Sequence, residues 1–238
     1  TSLSNIEIYI GWIFKLDLNL VKTALLFGSS GLVGGHLLNQ LIKDDNYLEI
    51  KLFVRSIPEI NNPKIKIVKT DFNNFKNHKE DIKGDDCFFC IGTTKKNSPD
   101  KNAYRRVELD IPIKIAQIAK SNSVNSFVFI SSGYADPNSS GDYLKFKGQV
   151  EEELKRLSFP KLGIVRPSFL LGDRKEKRVG EKIGIFVFKL FSPLLLGPLK
   201  KMKPIHSEKV AKAMIKISNG NFNQNVFESN EIVEVSNS

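Results

Sequence analysis

The chain is poor in the residues that build disulfide frameworks and metal sites. Its 238 residues include two cysteines and three histidines, so a reducing compartment, by default the cytoplasm, is the expected location. Cys87 and Cys90 have the C-x-x-C spacing of redox and metal motifs, but they lie in an apolar run that predicts a strand. Residues three apart on a strand point to opposite faces, and no second Cys/His pair completes a zinc site. We therefore expect two structural cysteines and no bound metal.

The chain also lacks an apolar run that predicts an integral membrane span. Residues 1–20 carry only a short apolar patch, Ile8 to Phe14, without the basic leader and cleavage site of a secretory signal. We interpret them as an N-terminal extension to a single domain at residues 21–238. A second apolar stretch, Gly184 to Leu199, is interrupted by Ser192-Pro193 and favours a lid or core helix. Peripheral membrane binding through an interfacial helix stays an alternative for that stretch.

The chain has fewer acidic than basic residues, and its net charge is +10. Phosphorylated cofactors, nucleic acid and membrane surfaces are all eligible partners for such a chain, although a composition rich in Lys, Asn and Ile is the simpler explanation. The basic residues are scattered, with only short clusters such as Lys200-Lys201-Met202-Lys203, and they form no stripe. We expect no nucleic-acid partner.

From residue 21 onward, strand-like and helix-like segments alternate without repeats or low-complexity tracts. The predicted strands cover residues 23–27, 51–54, 65–68, 87–91, 126–130 and 162–165, and the predicted helices cover 32–42, 101–121 and 142–157. This alternation is typical of an α/β fold with a doubly wound parallel sheet. The pattern loosens after Pro167, which predicts a small C-terminal substrate lobe at about residues 168–238, over the carboxyl ends of the strands.

A glycine-rich turn follows the first predicted strand and opens the first predicted helix. Glycines there allow a tight turn and let backbone approach a pyrophosphate. The helix N-terminus adds free N–H groups and the positive end of its dipole. This context predicts a nucleotide site. Its residues are Gly28, Ser29, Ser30, Gly31, Leu32, Val33 and Gly34.

The residues after the next strands predict which nucleotide binds. An NAD site usually has an acid after the second strand, whereas Arg55 and Ser56 follow that strand here. A guanidinium can bind a 2′-phosphate, so NADP(H) is favoured and NAD(H) stays open. A solvated surface arginine is the alternative interpretation of Arg55. Further cofactor contacts, each of them alternatively only a turn, follow the third and fourth strands: Asp71, Phe72, Gly92, Thr93 and Thr94.

The residues that predict chemistry follow the fifth strand. Ser131 and Ser132 end that strand, and Tyr143 and Lys147 lie one turn apart on one face of the next helix. A tyrosine with a pKa of about 10 is a poor base at neutral pH, but a nearby ammonium favours its phenolate. A serine hydroxyl then holds the carbonyl or alcohol oxygen of a small-molecule substrate while hydride passes to or from a nicotinamide. The Tyr-x-x-x-Lys spacing alone is common on solvated helices, and its place after Ser-Ser makes it specific.

Together these motifs resemble the short-chain dehydrogenase/reductase superfamily, and in finer features its atypical branch, the Tat-interacting oxidoreductase-like proteins. The finer features are Cys90 to Thr94, Arg106 to Glu108, Ser131 to Gly133, Tyr143 to Glu151, Arg166-Pro167 and Gly172 to Arg178. The resemblance, over about Val21 to Ala213, implies a Rossmann-type fold, NADPH binding and a possible homodimer.

The resemblance also implies roles for particular residues. Ser132, Tyr143 and Lys147 are the implied catalytic set, and the last two also contact the cofactor. Pro167 and Ser168 are implied to approach the nicotinamide.

The sequence departs from this family at several positions. Glu108 stands where the branch usually has aspartate and extended relatives have asparagine, so its supporting role is left open. Gly133 replaces a lysine after Ser132, and Tyr134 beside it either lines the pocket or packs. Arg174 and Arg178 either bind an anion or lie in a solvated loop.

Three classes of function agree with these residues. The leading one is an NADP(H)-dependent oxidoreductase acting on a carbonyl or alcohol. The second is an NADPH-binding regulatory or scaffold protein with little turnover, and the third is an epimerase or dehydratase that uses a bound cofactor. Fold alone does not rank them.

Overall fold

A computed structural model describes residues 21–73, 75–172 and 203–238. The predicted N-terminal extension, the apolar stretch Gly184 to Leu199, and Arg174 and Arg178 lie outside the described residues. The division of the chain at residues 20 and 168 therefore stays a prediction.

A parallel sheet of seven strands forms the centre of the described part. Its spatial order is β3 (Ile65–Lys69), β2 (Tyr47–Val54), β1 (Lys22–Phe27), β4 (Asp86–Phe89), β5 (Ser126–Ile130), β6 (Lys161–Arg166) and β9 (Val226–Glu228). The order reverses between β1 and β4, which places the ligand crevice at the carboxyl ends of those strands. This confirms the predicted α/β fold with a Rossmann-type, doubly wound sheet. A separate two-stranded sheet pairs β7 (Leu170–Leu171) with β8 (Ile205–His206).

Helices cover both faces of the sheet. The helices are α1 (Leu32–Lys43), α2 (Lys101–Arg105), α3 (Ile111–Ser121), α4 (Asp142–Leu157), α5 (Ser207–Asn219) and α6 (Ser229–Asn237). A π-helical segment, Arg106–Asp110, joins α2 to α3, and a 3-10 helix, Phe75–His78, follows β3. α1 and α5 lie on one face, and α3 and α4 lie on the other. No helix among the described residues is both long and apolar enough to cross a membrane.

The core is built by strands that are apolar on both faces, as expected for a parallel sheet covered by helices. On the α3–α4 face, the rings of Phe27 and Phe53 stack with centroids 4.2 Å apart. Cys87 packs on this face, whereas Cys90 packs on the opposite one. Burial raises the pKa of both thiols, which suppresses thiolate reactivity. The structure thus places the two sulfurs apart, as their spacing predicted.

The predicted strands and helices are present in the structure, with small shifts in their bounds. β2 begins four residues before its predicted start because Tyr47, fully buried, extends it towards the turn at Asp44. The predicted helix 101–121 forms, but the π-helical segment interrupts it. Of the predicted lobe, β9 extends the central sheet and α5 packs against α1. These two elements therefore belong to the central layers.

Candidate functional site

The glycine-rich turn between β1 and α1 leaves a cradle that larger residues would fill. Gly28 has a φ of +90°, and a Cβ there would lie 2.7 Å from the carbonyl carbon of Cys90. A Cβ at Gly34 would lie 2.1 Å from the Gly28 carbonyl oxygen. Gly31 is the N-cap of α1, and no side chain caps that helix. The first-turn N–H groups are therefore free of a side-chain acceptor, and the turn fits the phosphates of a dinucleotide.

The other residues of the turn contribute unequally. Ser30 is exposed and Ser29 and Leu32 are half-buried, so these three lie near the surface of the cradle. Val33 packs in the core between α1 and the sheet. Only the backbone of Val33 is therefore a candidate for cofactor contact.

The carboxyl ends of β2 and β3 border a cavity of about 390 Å³. Arg55 lines it together with Lys69, Thr70, Asp71 and His78. Hydrogen bonds from Asn73 lower the pKa of Asp71, so this carboxylate stays charged at neutral pH. Ser56 is exposed beside the cavity but does not line it. Arg55 and Asp71 are cofactor contacts predicted from the sequence, whereas Lys69 and His78 line the same cavity without having been predicted.

The side chain of Phe72, a predicted cofactor contact, lies mostly in the core. Its side chain is 7% exposed, and its ring centroid lies 6.4 Å from that of Phe27 in the core. The backbone turns inward here with a φ of +60°. The Arg106 guanidinium donates to the Phe72 carbonyl oxygen at 2.9 Å and also to Asn73. Phe72 therefore packs, and Arg106 fixes the loop after β3.

The loop after β4 is folded by its own hydrogen bonds. The Thr94 carbonyl oxygen accepts from the backbone N–H of Asn97 and Ser98 at 3.0 and 2.9 Å. The Thr93 N–H donates to Glu108 Oε1 at 2.5 Å. Gly92 and Thr93 are thereby tied to the π-helical segment at the crevice.

Glu108 forms a buried ion pair with Lys147. Glu108 Oε2 lies 3.0 Å from Lys147 Nζ, with side-chain exposures of 1% and 5%. Lys147 Nζ also donates to the Ile130 carbonyl oxygen at 3.2 Å. Burial opposes the lysine charge, but Glu108 and then Tyr143 outweigh it, so the pKa of Lys147 is raised.

A π-helical segment carries Glu108 into this position. Such segments are rare and occur frequently at functional sites. Glu108 and Leu109 are its buried residues. The sequence left the role of Glu108 open because related proteins usually have aspartate or asparagine there, and ordinary helical periodicity does not anticipate the extra residue of a π turn. An acid between Val107 and Leu109, both hydrophobic, was the available signal.

Tyr143 and Lys147 share one face of α4, as predicted. Lys147 Nζ lies 5.9 Å from the centroid of the Tyr143 ring and 4.8 Å from that of Phe129. Tyr143 is 39% exposed. No residue in the described part of the chain bonds to its hydroxyl. Tyr143 is therefore open to a ligand, and Lys147 supplies a positive charge beneath it.

The two serines after β5 differ in their surroundings. Ser131 is buried and its hydroxyl donates to Glu151. Ser132 is partly buried, and among the described residues its hydroxyl makes a single long bond, 3.3 Å, to the Gly133 carbonyl oxygen. Ser131 therefore serves the structure, whereas the Ser132 hydroxyl is available.

Arg166 anchors the segments on both sides of Ser132. Its guanidinium pairs with Glu151 and, at 3.3 Å, with Glu228, and it donates to the Ala135 carbonyl oxygen at 3.2 Å. This network joins α4, β6, β9 and the loop after Ser132. Tyr134 in that loop is 60% exposed among the described residues and lies in neither core cluster.

Pro167 and Ser168 lie next to the Ser132 loop. The Pro167 carbonyl oxygen accepts from the Gly133 N–H at 3.0 Å. The Ser168 hydroxyl donates to the Lys203 carbonyl oxygen at 2.6 Å, and its N–H donates to the Ser229 hydroxyl at 2.7 Å. The end of β6 is thus held beside the end of β5.

Comparison with known proteins assigns the family. A sequence model described as NAD(P)H-binding matches residues 28–219, well over half of the chain. The chain belongs to the NAD(P)H-binding family. Similar curated proteins include HTATIP2 of Rattus norvegicus, 32% identical over 67% of this chain and 67% of that protein. The mitochondrial protein FMP52 of Meyerozyma guilliermondii is 31% identical over 81% of this chain and 83% of that protein. This NAD(P)H-binding protein is therefore of the atypical short-chain dehydrogenase/reductase type.

Solved structures share the fold of this NAD(P)H-binding protein at low identity. The enzyme WbmH of Bordetella bronchiseptica, in complex with NAD+, has a TM-score of 0.66 and 15% identity, covering 91% of this chain and 79% of WbmH. A UDP-N-acetylglucosamine 4-epimerase of Methanobrevibacter ruminantium has a TM-score of 0.63 and 19% identity, over 87% and 76% of the two chains. At these identities the likeness shows the fold alone.

Proposed function

We propose that this protein is an NADP(H)-dependent oxidoreductase that acts on a carbonyl or alcohol group of a small molecule. One observation carries the proposal: a charged, buried Lys147 lies beneath the accessible Tyr143 at the crevice that also holds the glycine cradle. Membership of the NAD(P)H-binding family supports a redox role.

Each residue of the proposed catalytic set has a distinct task. In the reducing direction the bound cofactor supplies hydride to the carbonyl carbon. The Tyr143 hydroxyl delivers a proton to the carbonyl oxygen, and the Lys147 ammonium stabilises the phenolate that remains. Ser132 donates a hydrogen bond to the same substrate oxygen. Lys147 is also the residue proposed to hold the nicotinamide ribose.

The proposed preference for NADP(H) over NAD(H) is supported by the cavity after β2 and β3. Arg55 lines it, and no described residue forms an ion pair with this guanidinium. A guanidinium without a partner is suited to a phosphate dianion. Asp71 lines the same cavity and is the proposed contact for the adenosine end of the cofactor.

Calorimetric titration with NADPH and NADH tests the cofactor. We expect NADPH to bind the parent about tenfold more tightly, and Arg55→Ala to lose that preference. Equal affinities in the parent would remove Arg55 from the proposal.

Turnover is tested by NADPH oxidation against a panel of aldehydes and ketones. Tyr143→Phe should lower the rate about a hundredfold or more, because it removes the proton donor, while NADPH still binds. A cofactor that resists dialysis would favour an epimerase or dehydratase. Binding without turnover would favour a regulatory or scaffold protein.

The remaining partners and the location are proposals of the same kind. We propose a small-molecule substrate, a homodimer, no nucleic-acid partner and no integral membrane span. Analytical ultracentrifugation tests the homodimer. The cytoplasm is the proposed location, and the mitochondrial name of the FMP52 relatives makes mitochondria the alternative that cell fractionation would decide.

A further inference from the structure

The cavity after β2 and β3 holds more basic groups than the sequence assigned to it. Arg55 follows β2, and Lys69 is the last residue of β3, where it pairs with Val54 in the sheet register. His78 closes the 3-10 helix after β3. All three side chains line one cavity of about 390 Å³.

The two permanent cations of the cavity, Arg55 and Lys69, have no counter-ion of their own in the described part of the chain. Among residues 21–73, 75–172 and 203–238, neither Arg55 nor Lys69 forms an ion pair. Asp71 is the acid that lines the cavity, and both of its carboxylate oxygens accept from Asn73, at 2.8 and 2.7 Å. The lining therefore carries an excess of positive charge before any ligand binds.

His78 is held at the cavity by an acid behind it. Its Nδ1 lies 3.2 Å from Asp81 Oδ2, and its side chain is 20% exposed. No described residue bonds to Nε2. A carboxylate on one ring nitrogen fixes the ring orientation and favours a proton on that nitrogen. The other nitrogen is then free for a ligand in the cavity.

We infer that Lys69 and His78 complete, with Arg55, a site for a phosphate monoester, and that His78 makes selection of the 2′-phosphate dependent on pH. This inference rests on the proposed preference for NADP(H). A phosphate monoester offers three strong acceptor oxygens and carries nearly two negative charges at neutral pH. Guanidinium, ammonium and imidazolium groups donate to such oxygens with charge-assisted bonds.

Histidine is the residue type at this cavity whose charge changes most readily near neutral pH. Charged groups around the His78 ring include Asp81 and Asp71, the cations of Arg55 and Lys69, the chain neighbours Lys79 and Glu80, and Lys51, whose Nζ lies 3.4 Å from the Asp81 carbonyl oxygen. Carboxylates, ammonium groups and guanidinium groups keep their charge between pH 7 and pH 8.5, whereas an imidazolium loses its proton in or just below that range. A phosphate that accepts a hydrogen bond from Nε2 favours the protonated imidazole ring, so its binding should take up protons and weaken as pH rises.

A pair of small probes isolates this site from the rest of the cofactor. 2′,5′-ADP and 5′-AMP differ only by the 2′-phosphate, and calorimetry at pH 7 and pH 8.5 measures both affinities. For the parent, the preference for 2′,5′-ADP should fall about fivefold over this range. In His78→Gln the preference for 2′,5′-ADP over 5′-AMP should be weaker at pH 7 than in the parent. It should no longer fall between pH 7 and pH 8.5. Titration in two buffers of different ionisation enthalpy should show proton uptake in the parent alone.

Lys69→Gln tests the second added group. It should weaken the binding of 2′,5′-ADP about tenfold, as expected for a lost charge-assisted contact. The affinity for 5′-AMP should stay unchanged. Lys66→Gln is the matched control, because Lys66 is exposed on the same strand but does not line the cavity. Circular dichroism establishes that each variant is folded.

The outcomes separate this inference from the proposed function. If the parent prefers 2′,5′-ADP, Arg55→Ala loses the preference, and Lys69→Gln and His78→Gln keep it at both pH values, the inference is wrong and the NADP(H) proposal stands. If the parent binds the two probes equally, the NADP(H) preference fails and the inference fails with it.

Discussion

Each end of the central sheet holds a lysine–carboxylate pair in which the carboxylate is buried, yet the two pairs have different surroundings. At the amino ends of the strands, Lys22 Nζ lies 3.0 Å from Asp86 Oδ2. At the carboxyl ends, Lys147 Nζ lies 3.0 Å from Glu108 Oε2. The distances match, so the charges alone do not distinguish the two pairs.

The amino-end pair is bonded to several neighbouring side chains, and its lysine is 25% exposed. The Tyr47 hydroxyl donates to Asp86 at 2.6 Å, Ser218 lies 3.3 Å from that hydroxyl, and Lys22 also donates to Asn219 at 2.6 Å. Burial raises the pKa of Asp86 and of Tyr47. These groups join β1, β2 and β4 to α5, and we assign them to stability.

The carboxyl-end pair stands at the point where the strand order reverses. It lies beneath Tyr143, which is partly exposed, and Glu108 also binds the N–H of Thr93 after β4. Ligands of open α/β sheets bind at this point. The comparison teaches that a lysine–carboxylate pair becomes a candidate site through its place in the topology, because the distance between Nζ and the carboxylate oxygen is 3.0 Å at both ends.

The largest expected effect tests the carboxyl-end pair. Glu108→Gln leaves the buried Lys147 ammonium without its carboxylate, so the free energy of unfolding should fall by about 3 kcal/mol. Urea denaturation measures this. The control Glu152→Gln changes an exposed glutamate on α4 and should stay within about 0.5 kcal/mol of the parent. A Glu108→Gln variant as stable as that control would contradict the claim that the Glu108–Lys147 ion pair stabilises the folded protein.

An effect of intermediate size is expected from a comparison of Tyr→Phe substitutions at the two ends of the sheet. Tyr47→Phe removes the hydroxyl that donates to Asp86 and should lower the free energy of unfolding by about 1.5 kcal/mol, with NADPH affinity unchanged. Tyr143→Phe removes a hydroxyl without a described partner, so its stability should stay within about 0.5 kcal/mol of the parent. Urea denaturation and calorimetry of both variants check this. A Tyr47→Phe variant that loses NADPH affinity would break the contrast between the two ends.

The smallest expected effect is a change in pH dependence. Because burial raises the pKa of Asp86 from its ordinary value of 3.8, the folded protein holds this proton more tightly than the unfolded chain. The ionisation of Asp86 therefore lowers the free energy of unfolding as pH rises from about 4 through the pKa of Asp86 in the folded protein. Asp86→Asn should show a shallower fall in urea denaturation across that range. Asp45→Asn, at a fully exposed carboxylate, should keep the slope of the parent, and an unchanged slope in Asp86→Asn would remove Asp86 from this role.

The fold and the positions of the motifs could be predicted because they depend on local pattern. Apolar runs that end at Gly28 and at Ser131-Ser132 define the strands, and the four-residue spacing of Tyr143 and Lys147 defines one face of α4. Side chains at the carboxyl ends of neighbouring parallel strands necessarily lie at one edge of the sheet.

The parts that could not be predicted depend on tertiary contacts. The π-helical segment brings Glu108 to Lys147, a contact 39 residues apart in the chain that no local period encodes. Phe72 turns into the core through a positive φ. His78 reaches the cavity because a 3-10 helix follows β3.

The affinity of two lysine variants for NADPH tests the contrast between the two ends most directly. Calorimetry compares Lys147→Met with Lys22→Met under conditions in which circular dichroism shows both to be folded. We expect Lys147→Met to lower the affinity for NADPH by about tenfold or more, which is about 1.4 kcal/mol of binding free energy. The affinity of Lys22→Met for NADPH should stay within about twofold of that of the parent. Equal losses in the two variants, or no loss in Lys147→Met, would contradict the assignment of the carboxyl-end pair to the cofactor site.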